Sequence, residues 1–350
     1  MHKSITKSKI VGISTAVPKN EFYNTNYNHI EKDKLSTFIQ LTGVESRRIT
    51  KGSLCTSDLA IVAGEKLLKE LSWKKEEIDF IIFITQTADY MTPASSIIIQ
   101  NKLKLKNDIF ALDINLGCSG FPYGIGVANS LIDSLGFKKG LLFIGDISSK
   151  LCNPKDKSTW PLFGDACSAV AFQKKEANNV FHDFFSDGSK FEDIIVPSHS
   201  IAGRQIPNTS SFAEIENGGL IRNKFNMHLN GANIYSFAIS KVHERINKII
   251  DFSLVNKNEL QYCFLHQANK LINDTIEKKL GLPKTIFPTS IKNFGNTSSA
   301  TIPLTITVNF SQKTLSGKSI LCGFGVGLSL SSAIIDFDNC KVLDLIEVKE

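Results

Sequence analysis

The chain has 350 residues, of which 42% are hydrophobic and 21% are charged, and its mean hydropathy is -0.02. This composition is typical of a folded protein with one large domain or two ordinary ones, and it excludes a disordered or fibrous chain. The net charge of +6 suits an acidic partner but is too small and too diffuse to indicate nucleic-acid binding.

The start of the chain and its cysteines set expectations about the compartment. Residues 1–18 contain three lysines but too short an apolar segment for a signal peptide, and no run approaches the roughly 20 apolar residues of a membrane span. We therefore expect a cytoplasmic protein with no membrane partner. Seven cysteines are scattered without a Cys-x-x-Cys pair, which argues against a disulfide framework and against a zinc module.

Strand and helix signals alternate along the first half of the chain. Residues 79–85 contain an unbroken apolar run rich in β-branched and aromatic residues, as expected of a strand buried on both faces. The pattern then predicts a helix at 95–105, a strand at 109–116, a small-residue helix at about 119–135, and strands at 140–145 and 166–172. This alternation predicts an α/β fold with a central sheet.

The second half repeats the same events, which indicates an internal duplication. Residues 77–83 correspond to 259–265, and residues 139–145 correspond to 317–323, at nearly equal offsets. Between these anchors, the turn around Cys118 corresponds to the turn around Asn296. We therefore predict two similar halves, residues 1–178 and 179–350, joined near a polar stretch at 174–179.

Three polar residues stand at matching places in this predicted fold. Cys118 follows the strand at 109–116, His266 ends an apolar strand at 262–265, and Asn296 lies in a turn. Taken singly, each has an ordinary interpretation as a buried thiol, a strand-end histidine or a turn asparagine. Taken together, they would converge at the carboxyl edge of the sheet, where open α/β folds bind ligands.

Cys118 is the candidate nucleophile. A thiol attacks as its thiolate, and we expect the N–H groups and dipole at the start of the following helix to favour that charge. Gly117 and Gly120 allow a tight turn and the close approach of a substrate. The glycines of residues 323–327 could direct backbone N–H groups at a reacting oxygen, or could simply permit close packing.

Five segments of the chain carry a resemblance to a known family: residues 113–121, 163–165, 265–269, 295–303 and 323–329. In this order they resemble the β-ketoacyl-acyl carrier protein synthase III family of the thiolase superfamily. The resemblance implies an α/β, thiolase-like duplicated fold, with two similar halves in a five-layer αβαβα arrangement. It also implies a homodimer and a reaction that needs no metal and no bound cofactor.

The resemblance also implies roles for single residues. Cys118 would accept an acyl group from an acyl-CoA or acyl-carrier protein donor, with backbone N–H groups of Cys118, Gly325 and Val326 as the oxyanion hole. His266 and Asn296 would bind the thioester carbonyl of malonyl-acyl carrier protein and stabilise the enolate formed as carbon dioxide leaves. Attack of this carbanion on acyl-Cys118 would give a 3-oxoacyl product.

Some positions depart from the family's pattern for holding coenzyme A. Where the family has a tryptophan and an arginine that hold the adenine, this chain has Thr37 and Leu41. Lys157 replaces another arginine of the family, and it keeps the positive charge but loses the planar guanidinium. The arginine expected after Asn269 is Leu271. We therefore predict either weak coenzyme A binding, with Asn269 and Lys157 as remaining contacts, or a donor on another scaffold.

Three further positions follow from the same comparison with the family. Lys278 and Lys279 are candidate contacts for an acidic carrier protein, or they belong to an ordinary solvated helix face. Thr92 stands where a bulky residue often limits the acyl pocket. We therefore expect a longer or polar acyl group to fit.

Other functions of this superfamily, and one from another class, are alternatives. Thiolases use a second cysteine in the last glycine loop, where this chain has Gly323 with Cys322 beside it. Hydroxymethylglutaryl-CoA synthases use a glutamate where Gln86 stands, and glutamine cannot act as an acid or a base. An acyltransferase that passes the acyl group to a hydroxyl or amine needs only Cys118. A non-catalytic carrier-protein binding subunit is the alternative from another class.

Overall fold

The computed structural model describes residues 1–4, 8–175, 179–198, 204, 207–217 and 220–350. Its strands are β1 (His2–Ser4), β2 (Ser8–Pro18), β3 (Glu21–Tyr23), β4 (Ser46–Arg48), β5 (Phe80–Ile84), β6 (Phe110–Ile114), β7 (Lys139–Ile147), β8 (Asp165–Lys174), β9 (Val180–Ser186), β10 (Ile194–Ile195), β11 (Ile215–Asn217), β12 (Leu220–Arg222), β13 (His228–Leu229), β14 (Leu260–Leu265), β15 (Thr314–Gly325), β16 (Ser329–Val342) and β17 (Ile346–Val348). Its α-helices are α1 (Lys32–Thr42), α2 (Thr56–Glu70), α3 (Ser95–Lys102), α4 (Gly120–Leu135), α5 (Gly231–Phe237), α6 (His243–Ser253), α7 (Lys270–Leu280), α8 (Ile291–Phe294) and α9 (Thr301–Phe310).

The first-half elements lie where the apolar patterns predict them, with boundaries that differ by a few residues. α3 ends at Lys102 rather than at 105, because Lys104 takes a left-handed backbone conformation with a φ of 54°. α4 ends before Gly136, whose φ of 74° is one that glycine adopts readily. The tight end of α4 returns the chain directly to β7.

Two sheets share one strand order, which supports the predicted duplication. In the first half the order is β6, β5, β7, β8 and β2, with β5 parallel to β6 and β7, and β8 antiparallel to β7 and β2. In the second half β14, β15, β16 and β9 follow in the same sense, with one parallel pair and two antiparallel pairs. The end of β16 then pairs with β2, so the two sheets are joined.

Alternating side chains on these sheets build five layers. Ile81 and Phe83 of β5 pack under α2 and α3, whereas Ile82 and Ile84 face a central core that contains α4 and α9. Leu321 of β15 enters the same central core, and its neighbours on the strand pack under α6 and α7. This is the two-residue period of a strand buried on both faces. The predicted five-layer αβαβα arrangement is confirmed.

The division into halves follows from this topology, but its boundary does not. The predicted boundary after residue 178 falls within 176–178, which lie outside the described residues, so it stays a prediction. Among the helices that the structure describes, we find none that combines the length and apolar character needed to cross a membrane.

Candidate active site

Cys118, His266 and Asn296 line one cavity, together with the loop at Phe324, Gly325 and Val326. Cys118 lies between β6 and α4, and His266 directly follows β14. The loop lies at the end of β15. Because parallel strands end at the same edge of a sheet, these segments meet although they are far apart in sequence. The structure therefore brings Cys118, His266 and Asn296 together, as the sequence predicts.

The Cys118 thiol is held in its protonated form. Burial is the main cause that raises its pKa to about 11, and the negative charge of Asp146 adds to the shift. Hydrogen bonds from the Ser298 side chain and from the backbone of Val326 and Cys118 oppose the shift only in part. The local donors do favour the thiolate, as the sequence predicts, but in the free protein desolvation outweighs them and the net pKa of the thiol is raised.

The glycine loop after β15 packs directly against Cys118. A methyl group added at Gly325 would lie 2.8 Å from Cys118 Cβ and 2.9 Å from Sγ. A methyl group added at Gly323 would lie 2.4 Å from the Cys118 carbonyl oxygen. Only glycine lets this backbone approach so closely, which brings the Val326 N–H within hydrogen-bonding reach of the sulfur. The loop can therefore present backbone donors where an oxyanion would form.

His266 is buried, and one side of its ring is occupied. Its Nδ1 lies 2.7 Å from Thr301 Oγ1, which leaves Nε2 for a ligand in the cavity. Burial lowers the pKa of His266 to about 3, so the imidazole is neutral at physiological pH. The ring of Phe324 packs edge-on against it, with centroids 5.4 Å apart. A neutral imidazole in this position can donate or accept one hydrogen bond but carries no charge.

Asn296 is oriented by its own turn. The Ser298 N–H donates to Asn296 Oδ1 at 2.9 Å, so the amide nitrogen is the group that remains for a ligand. That nitrogen makes only a long contact of 3.5 Å with the Ala268 carbonyl oxygen. The Asn296 backbone is held on both sides, by Leu162 O at 2.8 Å and by Gly164 N at 3.0 Å. Asn296 thus offers an oriented donor beside His266.

Asp146, a residue not singled out from the sequence, connects the two halves beneath Cys118. Its carboxylate accepts from the Gln86 N–H at 2.6 Å and from the Ser299 hydroxyl at 2.7 Å. Gln86 and Cys118 belong to the first half and Ser299 to the second. Asp146 therefore fixes the loop after β5 against the turn that carries Asn296. A lone aspartate at the end of an apolar strand carries no sequence signal for this role.

Arg47 is a second residue that sequence reasoning missed. Its side chain is fully buried at 0% exposure and donates to the carbonyl oxygens of Phe163, at 3.0 Å, and of Trp160. Its Nε donates to Asn24 Oδ1 at 3.1 Å. Because residues 162–164 hold the Asn296 backbone, Arg47 supports that turn from behind.

Four hydrophobic side chains outside the predicted site also line the cavity. They come from the long connection between β9 and β14 and are Ile194, Met227, Leu229 and Ile234. β10 pairs with β13, and their side chains pack against Phe163. These four residues follow no regular apolar period along the chain, so the sequence did not predict that they would line the site.

Of the other residues predicted to contact the substrate or the carrier protein, all of which the structure describes, only one lines the cavity. Asn269 lines the cavity, yet its Oδ1 accepts from the Ile272 N–H at 2.8 Å and so caps the start of α7. Lys157 is half-buried and Thr92 is exposed, and neither is among the described residues that line the cavity with Cys118. Lys278 and Lys279 are exposed in the last turn of α7, where Lys279 Nζ donates to the Ile239 carbonyl oxygen at 2.8 Å.

The two catalytic groups of the superfamily alternatives are not available here. Cys322 is buried under α6 and α7, where its sulfur accepts from the Ser332 hydroxyl at 3.3 Å, so it does not face Cys118. Gln86 does line the cavity, with its Nε2 3.4 Å from Asn115 Oδ1, but an amide cannot transfer a proton. Within the described ranges no cluster of three His, Cys, Asp or Glu side chains could hold a metal ion.

Comparisons with known proteins agree with this arrangement. The family model described as 3-Oxoacyl-[acyl-carrier-protein (ACP)] synthase III matches residues 112–188, and the one described as its C terminal matches residues 250–337. The chain is 32% identical over 340 residues to Beta-ketoacyl-[acyl-carrier-protein] synthase III of Clostridium perfringens strain SM101, covering 94% of this chain and 98% of that protein.

A second relative and a solved structure show the same similarity. The chain is 32% identical over 336 residues to Beta-ketoacyl-[acyl-carrier-protein] synthase III of Streptococcus mutans, covering 95% of this chain and 99% of that protein. The crystal structure of 3-oxoacyl-(acyl-carrier protein) synthase from Burkholderia xenovorans LB400 superposes with a TM-score of 0.91 at 31% identity, covering 99% of this chain and 98% of that one.

Proposed function

The chain belongs to the 3-oxoacyl-acyl carrier protein synthase III family, also named β-ketoacyl-acyl carrier protein synthase III, and from this premise we propose how its residues work. It is a condensing enzyme of the acyltransferase class, and the resemblance seen in the sequence is confirmed. The roles of single residues are our proposal. The observation that carries it is that Cys118, His266 and Asn296 line one cavity.

In the first half-reaction, Cys118 Sγ attacks the thioester carbonyl of an acyl donor. The carbon–sulfur bond of acyl-Cys118 forms, the donor's carbon–sulfur bond breaks, and the thiol proton leaves with the departing thiol. Backbone N–H groups of Cys118 and Val326, which hydrogen-bond the sulfur in the free protein, stabilise the oxyanion. Gly325 belongs to this oxyanion hole because it lets the loop lie against the nucleophile.

In the second half-reaction, malonyl-acyl carrier protein occupies the other side of the cavity. His266 Nε2 and Asn296 Nδ2 donate hydrogen bonds to its thioester carbonyl, and carbon dioxide leaves as the enolate forms. The enolate carbon attacks acyl-Cys118, the Cys118 thiolate departs and takes up a proton, and 3-oxoacyl-acyl carrier protein is released. Two neutral donors suit this step, because they stabilise a developing negative charge without having to lose a proton.

For the acyl donor we favour a carrier protein over coenzyme A. Thr37 and Leu41 are exposed and offer neither an aromatic face nor a phosphate partner. Lys278 and Lys279 lie about 14 Å along α7 from Asn269, given a rise of about 1.5 Å per residue. Exposed lysines at that distance from the cavity suit an acidic carrier whose long prosthetic arm reaches Cys118. The cytoplasmic location expected from the sequence stays a prediction.

We also propose that two copies of the chain associate through β6. This strand is at the edge of its sheet, and its Phe110 and Leu112 side chains are each 36% exposed. An apolar edge strand with an open side is a template for pairing with another strand. Leu112→Lys should yield a monomer in sedimentation velocity, whereas Leu254→Lys, at a 90% exposed position after α6, should stay dimeric. A dimeric Leu112→Lys protein would move the interface elsewhere.

The experiment for the main proposal separates the half-reactions. Each variant is incubated with a panel of acyl-CoAs and acyl-carrier proteins, acylation is followed by intact-protein mass spectrometry, and decarboxylation is followed as carbon dioxide release from malonyl-carrier protein. We expect Cys118→Ser to lose acylation. We expect His266→Ala and Asn296→Ala to keep acylation and lose decarboxylation. Discharge of the acyl-enzyme by malonyl-carrier protein should occur only in the wild type.

The contrary outcomes are distinct. Acylation of Cys118→Ser at another residue would remove Cys118 as the nucleophile. Normal carbon dioxide release by both His266→Ala and Asn296→Ala would remove their proposed roles. An acyl-enzyme that malonyl-carrier protein cannot discharge would instead favour acyl transfer to a hydroxyl or amine, and no acylation by any donor would favour a non-catalytic subunit.

A further inference from the structure

Thr301, the first residue of α9, touches the side of the His266 ring that faces away from the cavity. It is 1% exposed, and its Oγ1 lies 2.7 Å from His266 Nδ1 and 3.1 Å from the Ser298 carbonyl oxygen. No other side chain within the described part of the chain is hydrogen-bonded to the His266 ring. The hydroxyl therefore stands between the imidazole and a backbone acceptor.

The direction of this hydroxyl decides which ring nitrogen carries the proton. A hydroxyl has one hydrogen, so it can donate either to Nδ1 or to the Ser298 carbonyl. If it donates to Nδ1, the neutral imidazole carries its hydrogen on Nε2 and is a donor toward the cavity. If it donates to Ser298, Nδ1 must carry the hydrogen, and Nε2 becomes an acceptor that cannot bind a thioester carbonyl.

We propose that Thr301 is a positioning residue that donates its hydroxyl hydrogen to His266 Nδ1 and thereby keeps His266 in the Nε2–H form needed for decarboxylation. The 2.7 Å contact to Nδ1 has the length usual for a hydroxyl donor, whereas an N–H donor usually lies about 2.9 to 3.0 Å from an oxygen acceptor, which favours that direction. The inference rests on the proposed donor role of His266. It adds the residue that sets the tautomer on which that role depends.

Removal of the hydroxyl should reverse the tautomer. The Ser298 carbonyl oxygen lies 3.1 Å from Thr301 Oγ1, on the Nδ1 side of the ring, so it is an acceptor left for an Nδ1 hydrogen once the hydroxyl is removed. Because the site is buried, water is not expected to replace the missing donor. In Thr301→Val, Nε2 would then face the cavity as an acceptor. Decarboxylation should fall about 10- to 100-fold, while acylation of Cys118, which does not use His266, should stay within about twofold.

The wild-type tautomer can be read directly by nitrogen-15 NMR of histidine-labelled protein. The His266 signals are assigned by their disappearance in His266→Ala. We expect a protonated Nε2 and an unprotonated Nδ1 in the wild type and in Thr301→Ser, which keeps the hydroxyl. We expect the opposite assignment in Thr301→Val. This measurement on the wild type does not depend on whether any variant folds.

A matched control exists on the same helix. Thr305 is fully buried one turn further along α9, and its hydroxyl contacts Ser290 Oγ and the Thr301 carbonyl oxygen, each at 2.7 Å, rather than the imidazole. Thr305→Val should therefore keep the wild-type tautomer and decarboxylation rate. It reports the effect of losing a buried hydroxyl from α9 without altering the His266 contact.

Three results would overturn the inference. These are a wild-type His266 with its hydrogen on Nδ1, a Thr301→Val protein that decarboxylates at the wild-type rate, and a Thr305→Val protein with the same defect as Thr301→Val. Failure of the proposed function looks different, because His266→Ala would then decarboxylate normally whatever the tautomer. The two failures are thus measured separately.

Discussion

Gly325 offers the sharpest test of the geometry at the nucleophile. In Gly325→Ala the new methyl carbon would lie 2.8 Å from Cys118 Cβ and 2.9 Å from Sγ, whereas carbon atoms in contact are normally about 3.5 to 4.0 Å apart. The loop or the sulfur must therefore shift by roughly 0.6 Å or more. Such overpacking costs about 1 to 3 kcal/mol.

If this cost acts on the transition state for acylation, the rate should fall by about 5- to 150-fold, since about 1.4 kcal/mol corresponds to a factor of ten. The assay is the rate of acyl-Cys118 formation by intact-protein mass spectrometry, with the thermal unfolding midpoint measured in parallel. The control is Gly188→Ala, because an added methyl group there meets no heavy atom within 4 Å. Acylation of Gly325→Ala within twofold of the wild type, in a folded protein, would refute this close approach.

Three further predictions follow from the site and its supports. The pKa of Cys118 is raised from 9.0 to about 11, so its thiolate fraction at pH 7.5 should be about 100-fold below that of a free thiol. Iodoacetamide labelling mapped to Cys118 should rise nearly tenfold per pH unit from 7.5 to 9.5, and a plateau below pH 9 would contradict this. Arg47→Met should lower the free energy of unfolding by at least about 3 kcal/mol in urea denaturation, because two buried carbonyl oxygens lose their donor. The control Arg48→Met loses a partly exposed ion pair with Glu347 and should lower it by about 1 kcal/mol or less. Equal effects of the two substitutions would refute the role of Arg47. Charge reversal at Lys278 and Lys279 should raise the KM for malonyl-carrier protein with little change in kcat. The control Lys69→Glu, on α2 in the opposite outer layer, should leave that KM unchanged. An unchanged KM in the Lys278 and Lys279 variant would mean that the carrier protein docks elsewhere.

Local patterns in the sequence were sufficient to predict the α/β fold class and the meeting of three polar side chains at one cavity. The apolar run of β5 predicts a doubly buried strand because each of its residues must be desolvated on one face or the other, and residues 80–84 are indeed fully buried. The repeated order of strands predicts two similar sheets. A cysteine and a histidine at strand ends and an asparagine in a turn predict one shared edge, and the structure places all three around one cavity.

The state of the nucleophile was not predictable in this way. The sequence shows that Cys118 precedes a helix, which favours a thiolate, but it does not show how far packing of the other half of the molecule desolvates the thiol. The structure shows that this desolvation outweighs the local donors and raises the pKa. Asn269 illustrates the same limit, because a polar residue beside the cavity turns out to cap a helix.

The supports of the site depend entirely on tertiary contacts. Asp146 meets Ser299 across 153 residues of sequence, and Arg47 meets Phe163 across 116. Thr301 meets His266 across 35. No helical or strand period relates such pairs, so composition and spacing carry no signal for them. The sequence by itself determines which segments become strands and helices and where reactive side chains stand on them, whereas hydrogen-bond direction, desolvation and orientation are decided only when distant segments pack together.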